Sequence, residues 1–125
     1  MTARAKHLVL AVDDEPDILT LNRMILEQAG FEVVTAGDGV DAIQKAVDFS
    51  PDLILLDVMM PFQDGLQKLE FLKERETSSS IPVVLMSSTP PQELERLSRS
   101  SGAQGFIVKP IEKSVLLAAM SKHLQ

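Results

Sequence analysis

The chain has no cysteine. Neither a disulfide framework nor a thiolate metal site can therefore be built, which agrees with a reducing cytosol. Long hydrophobic runs are missing too: none approaches the ~20 residues needed to cross a bilayer. The opening Met1-Thr2-Ala3-Arg4-Ala5-Lys6-His7 leads into only five apolar residues, Leu8-Val9-Leu10-Ala11-Val12. That is short for a signal peptide, and no convincing cleavage site follows. Nor is there an excess of basic charge. Twelve Lys and Arg stand against eighteen Asp and Glu, a net charge of -6 that argues against general binding to nucleic acid. Residues 1–125 show no internal repeat, no linker and no second domain. The expectation is one cytoplasmic, mildly acidic domain with one full core, no membrane partner and no direct contact with nucleic acid.

What is present is an alternation of short apolar runs, rich in β-branched residues, with longer amphipathic stretches. The runs predict strands over 7–12, 32–36, 52–56, 82–86 and 104–108. The first, third and fourth are apolar on both faces, as parallel strands covered on two sides should be. Helical spacing predicts a helix over 16–29 with the stripe Ile18, Leu21, Ile25 and Ala29, closed by Gly30. A second helix over 39–48 carries Val40, Ile43 and Val47, and a third over 65–75 carries Leu66, Leu69 and Leu72 behind Asp64 as cap. A fourth over 91–101 has only Leu94 and Leu97, and a strongly apolar fifth runs over 111–124. Thr77-Ser78-Ser79-Ser80 reads as a surface loop. Five β-α units in a row give an α/β fold, an open doubly wound (βα)5 parallel sheet of flavodoxin-like type. Its strand order is 2-1-3-4-5 or a relative, and periodicity alone does not choose. Ligands of such sheets bind beyond the carboxyl ends of the strands, where the order reverses.

Chemistry-bearing residues collect at those ends. Leu53-Ile54-Leu55-Leu56 is followed directly by Asp57, and the first strand by Asp13-Asp14. An acid before Pro16 is also an ordinary helix start, which accounts for one member of Asp13-Asp14-Glu15. It does not account for Asp57, because Val58-Met59-Met60-Pro61 offers no immediate helix to cap. Asp52 opens the same strand about 16 Å away, at ~3.3 Å per residue, and reads as a solvated strand start. Three carboxylates in one crevice repel by a few kcal/mol per pair at an effective dielectric of ~20, so a cation is expected there. Hard oxygen ligands with room for water suit Mg²⁺ better than zinc or copper. Lys109, between Val108 and Pro110, is either a solvated loop residue or an ammonium tethered beside Asp57 that offsets a carboxylate and grips a phosphoryl oxygen. Ser87, closing the fourth strand, is either a loop hydroxyl or a donor to a bound oxyanion. Lys109-Pro110 is also a candidate cis peptide.

Taken together, these residues resemble a response-regulator receiver domain of two-component signalling, of the chemotaxis-type single-domain kind. The resemblance spans essentially the whole chain. It rests on Asp13-Asp14, Asp57 with Met60-Pro61 and Asp64-Gly65, Ser87, and Lys109-Pro110, in that order on successive strand ends. It implies the strand order 2-1-3-4-5 and a phosphoacceptor signalling function. By that resemblance Asp57 accepts a phosphoryl group from the phosphohistidine of a histidine kinase or histidine phosphotransfer protein. Asp14 and Asp57 would bind Mg²⁺ directly with the backbone carbonyl of Met59, Asp13 would act through water, and Lys109 would hold the phosphoryl group. Ser87 and Phe106 resemble the family's switch pair, which alters a face made by the fourth helix, fifth strand and fifth helix. An unidentified downstream protein would read that face. Such a domain is not a turnover enzyme on an external substrate, though it can lose its own phosphoryl group.

Several positions depart from the commonest pattern. Ser87 stands for Thr, Ser88 for Ala, Phe106 for Tyr, and Pro90-Pro91 stiffens the start of the fourth helix. In the last helix Leu116, Met120 and Leu124 are expected to face the sheet. Val115, Ala118 and Ala119 then form an apolar surface for a partner or a second copy, or remain small exposed residues without one. The initiating Met1 and the lack of a linker favour a stand-alone regulator over an excised receiver.

Two other classes compete. An Mg²⁺-dependent aspartyl-phosphate phosphatase or phosphotransferase on a small substrate would resemble the haloacid-dehalogenase-like enzymes. Those carry a second acid two residues after the nucleophile, where this chain has Met59, and need a cap domain that 125 residues do not supply. A flavodoxin-like flavin carrier needs a Ser/Thr-rich phosphate loop after the first strand, where this chain has acids.

Overall fold

The computed structural model describes residues 7–57, 81–87, 92, 95, 96, 103–108 and 112–124. The elements in chain order are β1 (Leu8–Val12), α1 (Pro16–Gln28), β2 (Glu32–Ala36), α2 (Gly39–Phe49), β3 (Leu53–Asp57), β4 (Val83–Ser87), β5 (Gly105–Val108) and α3 (Lys113–His123). Gln92, Glu95 and Arg96 are helical, in keeping with the fourth predicted helix. The helix expected over 65–75 and the loop at Thr77-Ser78-Ser79-Ser80 lie outside the described residues.

Every strand pairs in parallel, in the order β2-β1-β3-β4-β5. β1, β3 and β4 are buried along their whole length, which is why their sequences are unbroken apolar runs. Side chains alternate between faces, so the sheet divides its core in two. Leu10, Val12, Ile54, Leu56, Val83 and Leu85 pack on the side of α2. Val9, Ala11, Leu53, Leu55, Val84, Met86 and Ile107 pack on the side of α1 and α3, against Leu26, Leu116 and Met120. Each fully buried Leu or Met contributes roughly 1.5–3 kcal/mol, so this double layer holds the strand ends in fixed relation.

The helix ends follow the sequence closely. α1 starts on Pro16, and Gly30 at φ +98° closes it, with Gly30 N–H donating to Glu27 O and Phe31 N–H to Leu26 O. That pair of bonds satisfies the last carbonyls in a Schellman arrangement, and only glycine takes such a φ without strain. α2 is capped by the Asp38 carboxylate, which accepts from Asp41 N–H at 2.8 Å.

Two predicted helix faces need correction. In α1 the buried residues are Asn22 and Leu26, with Leu19 and Ile25 packed beside them, while Leu21 is 47% exposed and Ala29 is exposed. Apolar residues occur on several sides of this helix, and the polar Asn22 disguised the true inward row. In α2 the inward residues are Ala42 and Ala46 with Ile43 at the margin, whereas Val40 and Val47 lie outside. Two alanines let this helix approach the sheet closely, and the larger valines flank that contact. α3 behaves as expected: Leu116 and Met120 are buried and Leu124 packs on the same cluster.

Asp52 also differs from its reading as a solvated strand start. Its carboxylate accepts from Leu8 N–H at 2.7 Å and lies 3.7 Å from His7 Nδ1. Its own N–H donates to Leu8 O, so Asp52 locks the register of β1 against β3 at the lower edge.

Candidate functional site

β2 lies on one side of β1 and β3 on the other, so the chain's direction across the sheet reverses between β1 and β3. A crevice therefore opens above their carboxyl ends. Val12 is paired with Leu56, so Asp13 and Asp57 are the next residues of adjacent parallel strands and emerge side by side. β3 and β4 run one residue past the predicted ends, to Asp57 and Ser87 themselves. The ladder continues there, with Asp57 opposite Met86 and Ser87 opposite Val108.

Carboxylate oxygens of Asp13, Asp14 and Asp57 all lie within 4.8 Å of one another. Asp13 and Asp57 are buried while Asp14 is exposed, so the cluster has two walls and one side open to solvent. Each pair at that separation repels by roughly 3 kcal/mol at an effective dielectric of ~20. Asp13 Oδ1 accepts the Glu15 N–H at 3.0 Å, which ties this acid to the turn entering α1. The helix-start reading thus holds for Asp13 as a turn, whereas the N-cap itself is Glu15, with no side-chain cap bond. Three hard oxygen donors with an open side fit a divalent cation of the Mg²⁺ kind, which keeps several waters when bound.

Ser87 is buried at the end of β4, the strand beside Asp57, one residue beyond Asp57's partner Met86. Phe106, on β5, is half-buried and packs on the α2 side of the sheet. Lys109 and Met59 lie outside the described residues, as do Ser88, Pro90-Pro91 and the Lys109-Pro110 bond.

A second feature lies at the β5 edge of the sheet. Val115 and Ala118 are exposed and Ala119 half-buried. With Glu95, Phe106, Lys122 and His123 they line a groove of about 580 Å³, in which none of the three aspartates takes part. The sequence pointed to the apolar members of this groove and missed its polar rim of Glu95, Gln104, Lys122 and His123. Gly105 was the available signal, since a glycine inside a strand often marks a close approach. A Cβ there would lie 2.8 Å from His123 Nε2.

Among the described residues no helix is long and apolar enough to cross a membrane.

Comparison with known proteins agrees with this geometry. Residues 9–121 match the response regulator receiver domain. The chain is 34% identical to Protein PilG of Pseudomonas aeruginosa, over 93% of this chain and 86% of that protein. It is likewise 34% identical to the chemotaxis protein CheY of Bacillus subtilis, over 94% of this chain and 98% of CheY. The solved structure of CheY4 from Vibrio cholerae superposes with a TM-score of 0.89 at 32% identity, over 96% of this chain and all of that one. Longer relatives match only in part: the chain spans 42% of the Bacillus subtilis regulatory protein PhoP. Matching over most of its length in sequence and in fold, the chain belongs to the response regulator receiver domain family and is a signalling domain of two-component systems.

Proposed function

We propose that Asp57 is the phosphoacceptor of this domain and that Mg²⁺ bound by the aspartate cluster assists the transfer. The observation that carries this reading is the convergence of Asp13, Asp14 and Asp57 within 4.8 Å, with Asp57 held in the sheet and Asp14 open to solvent. In the proposed reaction an Asp57 carboxylate oxygen attacks phosphorus in line with the P–N bond of a partner's phosphohistidine. The O–P bond forms as the P–N bond breaks, and the imidazole leaves with its electron pair and takes up a proton. Asp14 and Asp57, with the Met59 carbonyl, would hold the ion, and Asp13, whose Oδ1 accepts from Glu15 N–H, would act on it through water. An ion held there would supply positive charge to offset the phosphoryl oxygens. Lys109 supplies a second positive charge to the same oxygens.

The output is a change of shape. New acceptor oxygens on Asp57 draw the Ser87 hydroxyl toward them, and Phe106 turns into the space this vacates. Phosphorylation then shifts the balance between two packings of the face formed by the helix around Gln92, Glu95 and Arg96 with β5 and α3. The groove carrying Val115, Ala118 and Ala119 on that face receives the downstream protein or a second copy. A histidine kinase or histidine phosphotransfer protein is the phosphoryl donor. Asp57→Asn, nearly isosteric and unable to form the acyl phosphate, tests the assignment: with labelled phosphohistidine donor and Mg²⁺ it should take up no label. Label on that variant would move the acceptor elsewhere. Sedimentation with and without a phosphoryl analogue tests self-association, which a monomer under both conditions would exclude.

A further inference from the structure

His123 occupies an unusual seat for a residue in the last turn of a helix. Its Nε2 lies 2.8 Å from the point where a Cβ on Gly105 would stand, so the imidazole edge rests on the backbone of β5 where only glycine leaves room. It is half-buried and lines the groove of about 580 Å³ together with Lys122. A cationic residue at a helix C-terminus ordinarily gains from the helix dipole. Here burial first, and the Lys122 ammonium second, hold the imidazole below the usual histidine range, so the seat favours the neutral ring. Among the described residues the charged groups sharing the groove are Lys122 on the same helix and Glu95 on the preceding helical segment, and β4 and β5 add none.

We propose that His123 is a proton-operated stop at one end of the groove: neutral, it seats against Gly105, and protonated, it leaves that seat, opens the groove along β5 and adds a cation beside Lys122. A protonated ring in that seat loses part of its hydration and is repelled by the Lys122 ammonium, and swinging into solvent relieves both. Residues 113–124 already carry Lys113 and Lys122 without a single acid, although the chain has eighteen acids in all. Glu95 balances Lys122 in the groove, so protonation of His123 would tip the groove to net positive charge and favour an acidic partner segment. The regulatory meaning rests on the reading of this face as the output surface; the seat itself does not.

The test is an amide and imidazole NMR titration over about pH 5 to 8, the span in which histidine changes charge. It would use the full chain and the variants His123→Gln and Gly105→Ala. Gly105 and Ile107 amides should move with the His123 ring resonance, with one midpoint below that of an unperturbed histidine. His123→Gln should abolish that movement. Gly105→Ala denies the ring its seat and should raise the His123 midpoint. A Gly105 amide indifferent to His123 protonation, or wild type and Gly105→Ala titrating alike, would overturn the seat and leave the output reading intact. In a second arm, beryllofluoride with Mg²⁺ mimics the phosphoryl group on Asp57. If it moved no groove amide, the output reading would fall and the regulatory role of the stop with it.

Discussion

Two aspartates bracket β3, Asp52 just before its first residue and Asp57 as its last, and the two live in opposite worlds. At the lower edge Asp52 accepts from Leu8 N–H at 2.7 Å and faces His7 at 3.7 Å. At the upper edge Asp57 is buried in the sheet with two more carboxylates within 4.8 Å. Asp52 is matched to a donor and stabilises the register of two strands. Asp57 is brought close to two like charges, and the surrounding core of β1, β3 and β4 fixes where the strand ends go. The same residue type thus closes a strand pairing at one end of β3 and joins a carboxylate cluster at the other.

The largest expected effect follows directly. Asp57→Asn should abolish phosphoryl uptake, while Asp52→Asn, at the other end of the same strand, should leave it within a few-fold of wild type. Transfer from a labelled phosphohistidine donor measures both, and loss in both variants would mean that fold integrity, not the chemistry of position 57, sets the result.

Metal sharpens the contrast next. With Mg²⁺ at 100 times its dissociation constant, wild type should gain about 2.7 kcal/mol of stability by mass action, and Asp14→Ala much less. Without Mg²⁺ the order should reverse, because removing Asp14 relieves repulsion that amounts to roughly 3 kcal/mol per pair before screening and solvent exposure reduce it. Thermal melts across a Mg²⁺ series would show the two curves crossing. Parallel curves would take Asp14 out of the metal site.

At the lower edge, Asp52→Ala should cost about 1–2 kcal/mol, the penalty for leaving the partly buried Leu8 N–H without its acceptor. That loss should be the same with and without Mg²⁺. A pH effect belongs to the β5 edge instead. His123 has a folded-state pKa below its unfolded value, so it binds fewer protons when folded. Its neutral form therefore stabilises the fold fully above the unfolded value, and this share is lost as pH falls through about 6.5 toward the lower folded value. Wild-type stability should drop over that window relative to His123→Gln, as denaturant melts at a series of pH values would record.

Much of this was legible in the sequence because buried parallel strands write themselves as unbroken apolar runs. Leu53-Ile54-Leu55-Leu56 could end only in the core, so Asp57 had to emerge at an edge. Three acids on two such runs then identified the crevice. Helix faces were harder to read. α2 packs through Ala42 and Ala46, whose small side chains carry little hydrophobic signal beside Val40 and Val47. Asp52 was misread because its donor, Leu8 N–H, lies 44 residues away and comes near only through the β1–β3 pairing. The His123 seat likewise joins the two ends of a β-α unit, and spacing alone gives no hint of it.

Asn22 provides the smallest and most discriminating test. It is wholly buried on α1, and among the described residues its amide N–H reaches only the Met86 sulfur at 3.8 Å and its Oδ1 has no hydrogen-bond partner. A thioether is a weak acceptor, so this amide lost its hydration for little return. It is a buried polar group, but its contact Met86 belongs to the α1 and α3 core and not to the crevice. Asn22→Leu keeps the branched heavy-atom skeleton and removes the orphaned acceptor, which should raise stability by about 1 kcal/mol, within the 1–3 kcal/mol that such a group costs. Denaturant melts would register the gain, and phosphoryl uptake should not change. Uptake that fell as stability rose would show that the strain at Asn22 reaches Ser87 through Met86, its neighbour on β4, and that the functional region extends into the core beneath the crevice.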